Sequence, residues 1–165
     1  MTDEDAGGNA HLKPPSKREM RSAARLYAVQ ALYQMEAADM TVDKVRRQFY
    51  DHFFGLVTEE EGEFIDGDSD LFHEITEIAV NDQAKIDQMT NRALVAKWPI
   101  ARIDSTLRAL FRAAGAELVS DRTPPKVVIS EFVDVAKAFY PEGREPKFVN
   151  AVLDHMAREA RPEAF

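Results

Sequence analysis

Pro125-Lys126-Val127-Val128-Ile129-Ser130-Glu131-Phe132-Val133-Asp134-Val135-Ala136-Lys137-Ala138-Phe139 decides the fold class. Its β-branched start, Val127 to Ile129, favours a strand when taken alone. Val128, Phe132, Val135 and Phe139 nevertheless recur at steps of four, three and four, the spacing of one helix face, and period outweighs propensity. A helix from about Pro125 to Phe139 is therefore expected. Before it, Ile103, Leu107, Leu110, Phe111, Ala114 and Leu118 make the clearest helical stripe in the chain, ending at the turn cluster Ser120 to Pro124, and the core should centre there. After it, Tyr140 to Pro146 reads as a loop. Phe148, Val149, Val152, Leu153 and Met156 form a last amphipathic helix.

The first half follows the same period. Leu26, Val29, Leu32 and Tyr33 lie on a helix that Ser16 caps, with Glu19 completing a capping box, and that breaks near Asp39-Met40-Thr41. Val42, Val45, Phe49, His52 and Phe53 continue in a second helix expected to end at Gly55. An acidic loop, Thr58 to Asp70, comes next. Leu71, Ile75, Ile78, Ala79, Ile86 and Met89 then predict one long amphipathic helix capped by Ser69 or Asp70, and Pro99 punctuates the segment beyond it. Residues 1–16 read as a disordered lead and 161–165 as a tail. No segment alternates as a strand does, so the class is all-α with about six to seven helices.

The 165 residues contain no cysteine, which excludes a disulfide scaffold and thiol chemistry. No apolar run reaches the ~18 residues of a membrane span and the amino terminus is acidic, so the expected location is the cytoplasm, with no membrane partner. The net charge of −8 is unevenly placed. Between Asp51 and Thr90 one base, Lys85, faces twelve acids, whereas the flanking segments are slightly basic. A local anion-binding surface is compatible with that distribution.

Motifs for catalysis are missing. No glycine-rich loop precedes a Lys-Ser/Thr pair, and the four histidines stand apart, His73 having a carboxylate, Glu77, at a four-residue step. Asp66, Asp68, Asp70 and Glu77 match an EF-hand count, but its sixth position is Leu71 instead of glycine. No cofactor, metal or enzyme activity is expected. The exception to this plain surface is the start of the first helix, where Arg18, Arg21 and Arg25 follow helical steps with Lys17 at their edge. Cations there oppose the macrodipole, so helix stability does not account for them. They read either as a docking edge for nucleic-acid phosphates or as a solvated face.

Arg25 with Ala28-Val29-Gln30-Ala31-Leu32-Tyr33, Lys126-Val127-Val128-Ile129 running to Ala136-Lys137-Ala138-Phe139, and Lys147-Phe148-Val149-Asn150 with Val152-Leu153-Asp154 together resemble the NusB family of transcription antitermination factors. Arg112 and Glu117-Leu118 agree, and the likeness runs in order from Lys17 to Met156. The resemblance implies a NusB-like fold of about seven helices in two packed helical subdomains, here a single RNA-binding domain over 17–160 with halves at about 17–90 and 91–160. It also implies binding of single-stranded boxA RNA with NusE, the ribosomal small-subunit protein, on the RNA polymerase elongation complex, chiefly in ribosomal RNA transcription. Lys17, Arg18, Arg21, Arg25, Phe139, Lys147 and Phe148 become the RNA-contacting residues and Tyr33 the partner contact. An aromatic beside cations offers a stacking face for a base and charge for its backbone. Ordinary core packing is the competing role for Phe139, Phe148 and Tyr33.

Departures from the family pattern bear on these assignments. Ser22-Ala23 interrupts the arginine run, which leaves Lys13 and Lys17 to supply phosphate contacts. Gly143-Arg144-Glu145-Pro146 lacks the usual Asp-Ser pair, and Ala151 replaces a usual glycine. A second reading is a helical protein-interaction adaptor, in which the acidic segment 58–70 docks a basic partner and RNA binding is weak or lost.

Overall fold

The described residues form seven α-helices, four of them started by a side-chain cap. The computed structural model describes residues 14–54, 67–94 and 102–165. Among these, α1 spans Lys17–Ala38, α2 Val42–Phe53, α3 Ser69–Asn81, α4 Gln83–Ala93, α5 Ser105–Ser120, α6 Pro125–Phe139 and α7 Glu145–Ala160. A short 3-10 turn, Pro162–Ala164, comes last, and no strand occurs among the described residues. Residues 1–13 of the expected lead, with Lys13, lie outside the described residues, as do Gly55, most of the acidic loop and Pro99.

Ser16 and Glu19 form the expected capping box: the Glu19 N–H donates to the Ser16 hydroxyl oxygen at 3.1 Å and the Ser16 N–H to the Glu19 carboxylate at 3.3 Å. α1 stops where Asp39 turns left-handed at φ 52°, and Thr41 starts α2 by accepting from the Lys44 N–H. Three sequence expectations need correction. The cap of α3 is Asp68, whose carboxylate accepts from the Leu71 N–H at 3.0 Å, in place of Ser69 or Asp70. The long helix expected over 71–89 is two helices, because Asp82 leaves helical geometry at φ −110°, ψ 22°. Buried Ile75 and Ala79 before the break and Ile86 and Met89 after it keep the apolar period running across it. Pro146, expected in the loop, sits in the first turn of α7, where its missing N–H has no partner to lose.

α5 is the axis of the core. It packs on α1 and α3 from the first half and on α4, α6 and α7, so both halves share one interior. Ala109, Ala113, Ala114 and Ala116 are fully or almost fully buried and let these neighbours approach closely. Gly115 lies so near α4 that a Cβ there would stand 2.5 Å from Ile86 Cγ2. Below α2, Tyr27, Phe49, Tyr50, Phe53, Phe54 and Phe72 form an aromatic cluster with centroids 5.0 to 5.8 Å apart.

Two charge networks tie the helices together, one buried in the core and one at its edge. Arg25 on α1, 3% exposed, donates from Nε to Glu117 Oε1 at 2.7 Å and from Nη2 to Oε2 at 2.8 Å, a forked pair between α1 and α5. Burial pulls the Arg25 pKa down, but the hydrogen bond and charge of Glu117, then Glu131 and Asp68, outweigh it and raise the value. Near the end of α1, Glu36 accepts from Arg108 and from Arg112, and Arg112 also donates to Asp87 on α4 at 2.9 Å. The Arg108 hydrogen bond is the main cause that holds the Glu36 carboxyl below its ordinary range.

Replacing Arg25 by Met strands the buried Glu117 carboxylate and is expected to cost about 3 kcal/mol in chemical denaturation, much of it recovered by adding Glu117→Leu. Because the folded-state pKa of Glu36 is depressed, its contribution to stability is fully present above the unfolded value of about 4.3. It is lost as pH falls from there through the folded value. Glu36→Gln should flatten that acid limb of a stability-against-pH profile while leaving the limb above pH 7 in place.

Candidate nucleic-acid interface

α1 and α6 run side by side in the same direction, so residues about 100 positions apart in sequence meet at their starts. Arg18 and Arg21 from α1 face Arg122 and Lys126 across a groove of about 600 Å³, with Ser130 and Glu131 of α6 also lining it. Lys17, Arg18 and Arg21 are exposed, and none of them forms an ion pair among the described residues. Arg122 is largely exposed and pairs with Glu74 at 3.2 Å. The groove therefore has a cationic rim with free donors, the arrangement that attracts phosphate oxygens.

Arg25 does not share that exposed face. Helical spacing places it one turn beyond Arg21, but there α1 dips against α5 and α6, and Glu117 takes the Nε–Nη2 edge of its guanidinium. Glu131 lies 3.5 Å from it on the other side. The reading of Arg25 as one of a row of surface cations is corrected by this burial, since its donors are engaged inside the core. Periodicity defines a face but not how deep each turn of that face sinks.

Of the remaining predicted residues, Tyr33 and Phe139 meet at the other end of α1. Tyr33 is 42% exposed, which removes the core role for it. Together with Phe139, Val29, Phe49 and Phe53 it lines an apolar groove of about 510 Å³. Tyr140, beside Phe139, donates its hydroxyl to Asp104 at 2.9 Å and so holds the end of α6 against the start of α5. Burial, reinforced by this hydrogen bond, raises the Tyr140 pKa above the ordinary phenol range. Lys147 is exposed on the first turn of α7, and Phe148, also exposed, rests edge-on against buried Phe111 with centroids 6.2 Å apart. Arg21 and Tyr33 are twelve residues apart, about 18 Å along a helix rising 1.5 Å per residue. That span matches about five stacked nucleotides at ~3.4 Å each.

Arg122 as a rim cation and Lys126 as its neighbour are functional candidates that sequence reasoning missed. A charge alternating with prolines in a turn carries no local signal, and only the pairing of α1 with α6 makes a groove of them. Two of the carboxylates that invited metal readings are engaged otherwise, and Asp66 lies outside the described residues. Glu77 and the His73 Nδ1 atom both turn to the buried Arg46 guanidinium, and Asp68 caps α3. Among the described residues no group of three or more metal-ligating side chains gathers, and no helix is long and apolar enough to cross a membrane.

Comparison with known proteins places this geometry in a family. A sequence model described as the NusB family matches residues 22–158. The chain is 44% identical over 151 residues to the transcription antitermination protein NusB of Maricaulis maris, covering 91% of this chain and 93% of that one. It is 45% identical over 152 residues to the protein of the same name from Brucella ovis, with coverage of 91% and 87%. Among solved structures, NusB of T. maritima superposes with a TM-score of 0.70 at 25% identity over 93% of this chain and 99% of that one. A complex of the antitermination factors NusB and NusE with double-stranded RNA matches with a TM-score of 0.68 at 20% identity, over 84% and 96%.

Exposure separates the three arginines experimentally. Arg18→Ala and Arg21→Ala should each leave folding stability within about 0.5 kcal/mol of wild type in urea denaturation, in contrast to any substitution of Arg25.

Proposed function

Because this chain belongs to the NusB family, we propose that it acts as a transcription antitermination factor, binding single-stranded boxA RNA together with NusE and promoting processive transcription of ribosomal RNA operons. The observation that carries the RNA reading is the cationic groove at the start of α1, whose exposed Arg18 and Arg21 form no ion pair among the described residues. Lys17, Arg18 and Arg21 hold the backbone at one end of the strand. Lys147 supplies charge at the other, where Phe148 and Phe139 offer ring faces to unpaired bases. Arg25 acts on this site indirectly, by fixing α1 on the core. Tyr33 and the apolar groove around it receive NusE, in keeping with the NusB–NusE–RNA complex among the solved structures. Residues 17–160 work as a single domain, in the cytoplasm, on the RNA polymerase elongation complex, and carry no catalytic activity.

The test is an anisotropy titration of a labelled boxA-type RNA and a scrambled control, with and without equimolar NusE, over a range of salt. Each phosphate contact to a single strand contributes about −0.7 to the log–log salt slope, so about four contacts predict a slope near −3. Arg18→Glu with Arg21→Glu should bring the slope near −1.5 and weaken binding without unfolding the protein. Equal, weak binding of both RNAs regardless of NusE would overturn the reading in favour of a protein-docking adaptor.

A further inference from the structure

The basic groove has an acidic floor. Arg25 is one cation set between two carboxylates: Glu117 takes its fork at 2.7 and 2.8 Å, and Glu131 stands 3.5 Å from Nη1. The cluster thus carries a surplus negative charge. Glu131 holds it, with a side chain 14% exposed and lining the groove. Its Oε2 also accepts the Ser22 hydroxyl at 2.9 Å, so the carboxylate is anchored in one orientation from α1. Apart from Arg25, none of the cations lining the groove, Arg18, Arg21, Arg122 or Lys126, comes within ion-pair distance of it among the described residues.

This layout has a specific chemical meaning. A carboxylate is an acceptor only, with about four lone-pair directions, so Glu131 retains acceptor capacity beyond Ser22 and Arg25. It repels a phosphate from the floor while the rim attracts one. A single strand that lays its phosphates on the rim therefore turns a base inward, and the floor rewards a base that presents N–H donors. Guanine alone among the four bases offers two adjacent donors, N1–H and the N2 amine, on its Watson–Crick edge. The groove volume of about 600 Å³ falls in the ~300–1,000 Å³ range of small-molecule pockets, enough for one base with its sugar.

We propose that Glu131 is a specificity-determining residue that reads a guanine base seated between α1 and α6, with Arg18 and Arg21 on the flanking phosphates. The inference rests on the RNA-binding reading above and adds to it a subsite and its base preference. Its geometry uses a charge-assisted hydrogen bond from N2, which inosine lacks while keeping N1–H.

The experiment titrates wild type and Glu131→Gln, each with NusE, against a boxA-type single-stranded RNA and versions in which one guanosine at a time is inosine. Wild type should lose about tenfold in affinity at one guanosine, the scale of a hydrogen bond to a charged group. Glu131→Gln, which still accepts from Ser22, should bind the guanosine and inosine forms at that position within about twofold of each other. A merely structural role would change both affinities together and leave their ratio untouched. Should Glu131→Gln fold poorly, Ser22→Ala keeps the charge but frees its anchor, and the ratio should fall to about threefold. Discrimination of guanosine that survives both variants, or none at any position in wild type, overturns this inference while the antitermination reading stands. Failure of wild type to prefer the boxA-type RNA over a scrambled one removes both.

Discussion

The forked contact between Arg25 and Glu117 is the constraint from which the surface takes its shape. Both groups are buried, so neither has water to fall back on, and a slip of α1 along α5 by one turn would leave two charges unpaired in the core. Such a pair adds little net stability compared with an apolar contact of the same size, but it penalises every other register. The short reach of the two side chains also requires a close helix contact. Ala24, Ala28 and Ala31 on α1, with Ala113 and Ala114 on α5, are all fully buried and supply it.

With α1 held in register, its two ends are assigned. The first turns carry cations beside the start of α6, and the region around Tyr33 carries apolar surface beside the end of α6. The cationic end works against the helix macrodipole by a few tenths of a kcal/mol per charge. The capping box of Ser16 and Glu19 offsets this, since it satisfies two N-terminal donors and sets one carboxylate in the first turn. These cations are thus placed where they cost the helix something, and a local device makes the helix start there regardless.

Much of this was legible in the sequence because it is written in periods and caps. The helix Pro125–Phe139 came from Val128, Phe132 and Val135 at helical steps, and the core position of α5 from its uninterrupted stripe. The break at Asp82 was not legible, since buried residues continue in phase on both sides and Asn81-Asp82 carries no glycine or proline. Pro146 misled for the opposite reason: a proline marks an end or a first turn equally well. Arg25 shows the deeper limit. Nothing within α1 tells a cation that faces water from one that faces Glu117, because the answer lies 92 residues away on another helix. Glu131 and Lys126 were likewise silent until α1 and α6 were seen together.

The same reasoning resolves the apparent conflict between a net charge of −8 and a polyanion partner. At physiological salt the Debye length is about 8 Å, so a phosphate on the groove rim responds to the few cations around it and hardly to the total. Few free cations also mean modest affinity from phosphate contacts alone. A site of this kind gains most from a second protein that binds the same strand, because the linked event proceeds at a high effective concentration. The apolar groove at the far end of α1, lined by the exposed ring of Tyr33, offers hydrophobic area that the cationic end does not. One helix therefore separates charge from apolar surface, and its fixed register sets the distance between the two.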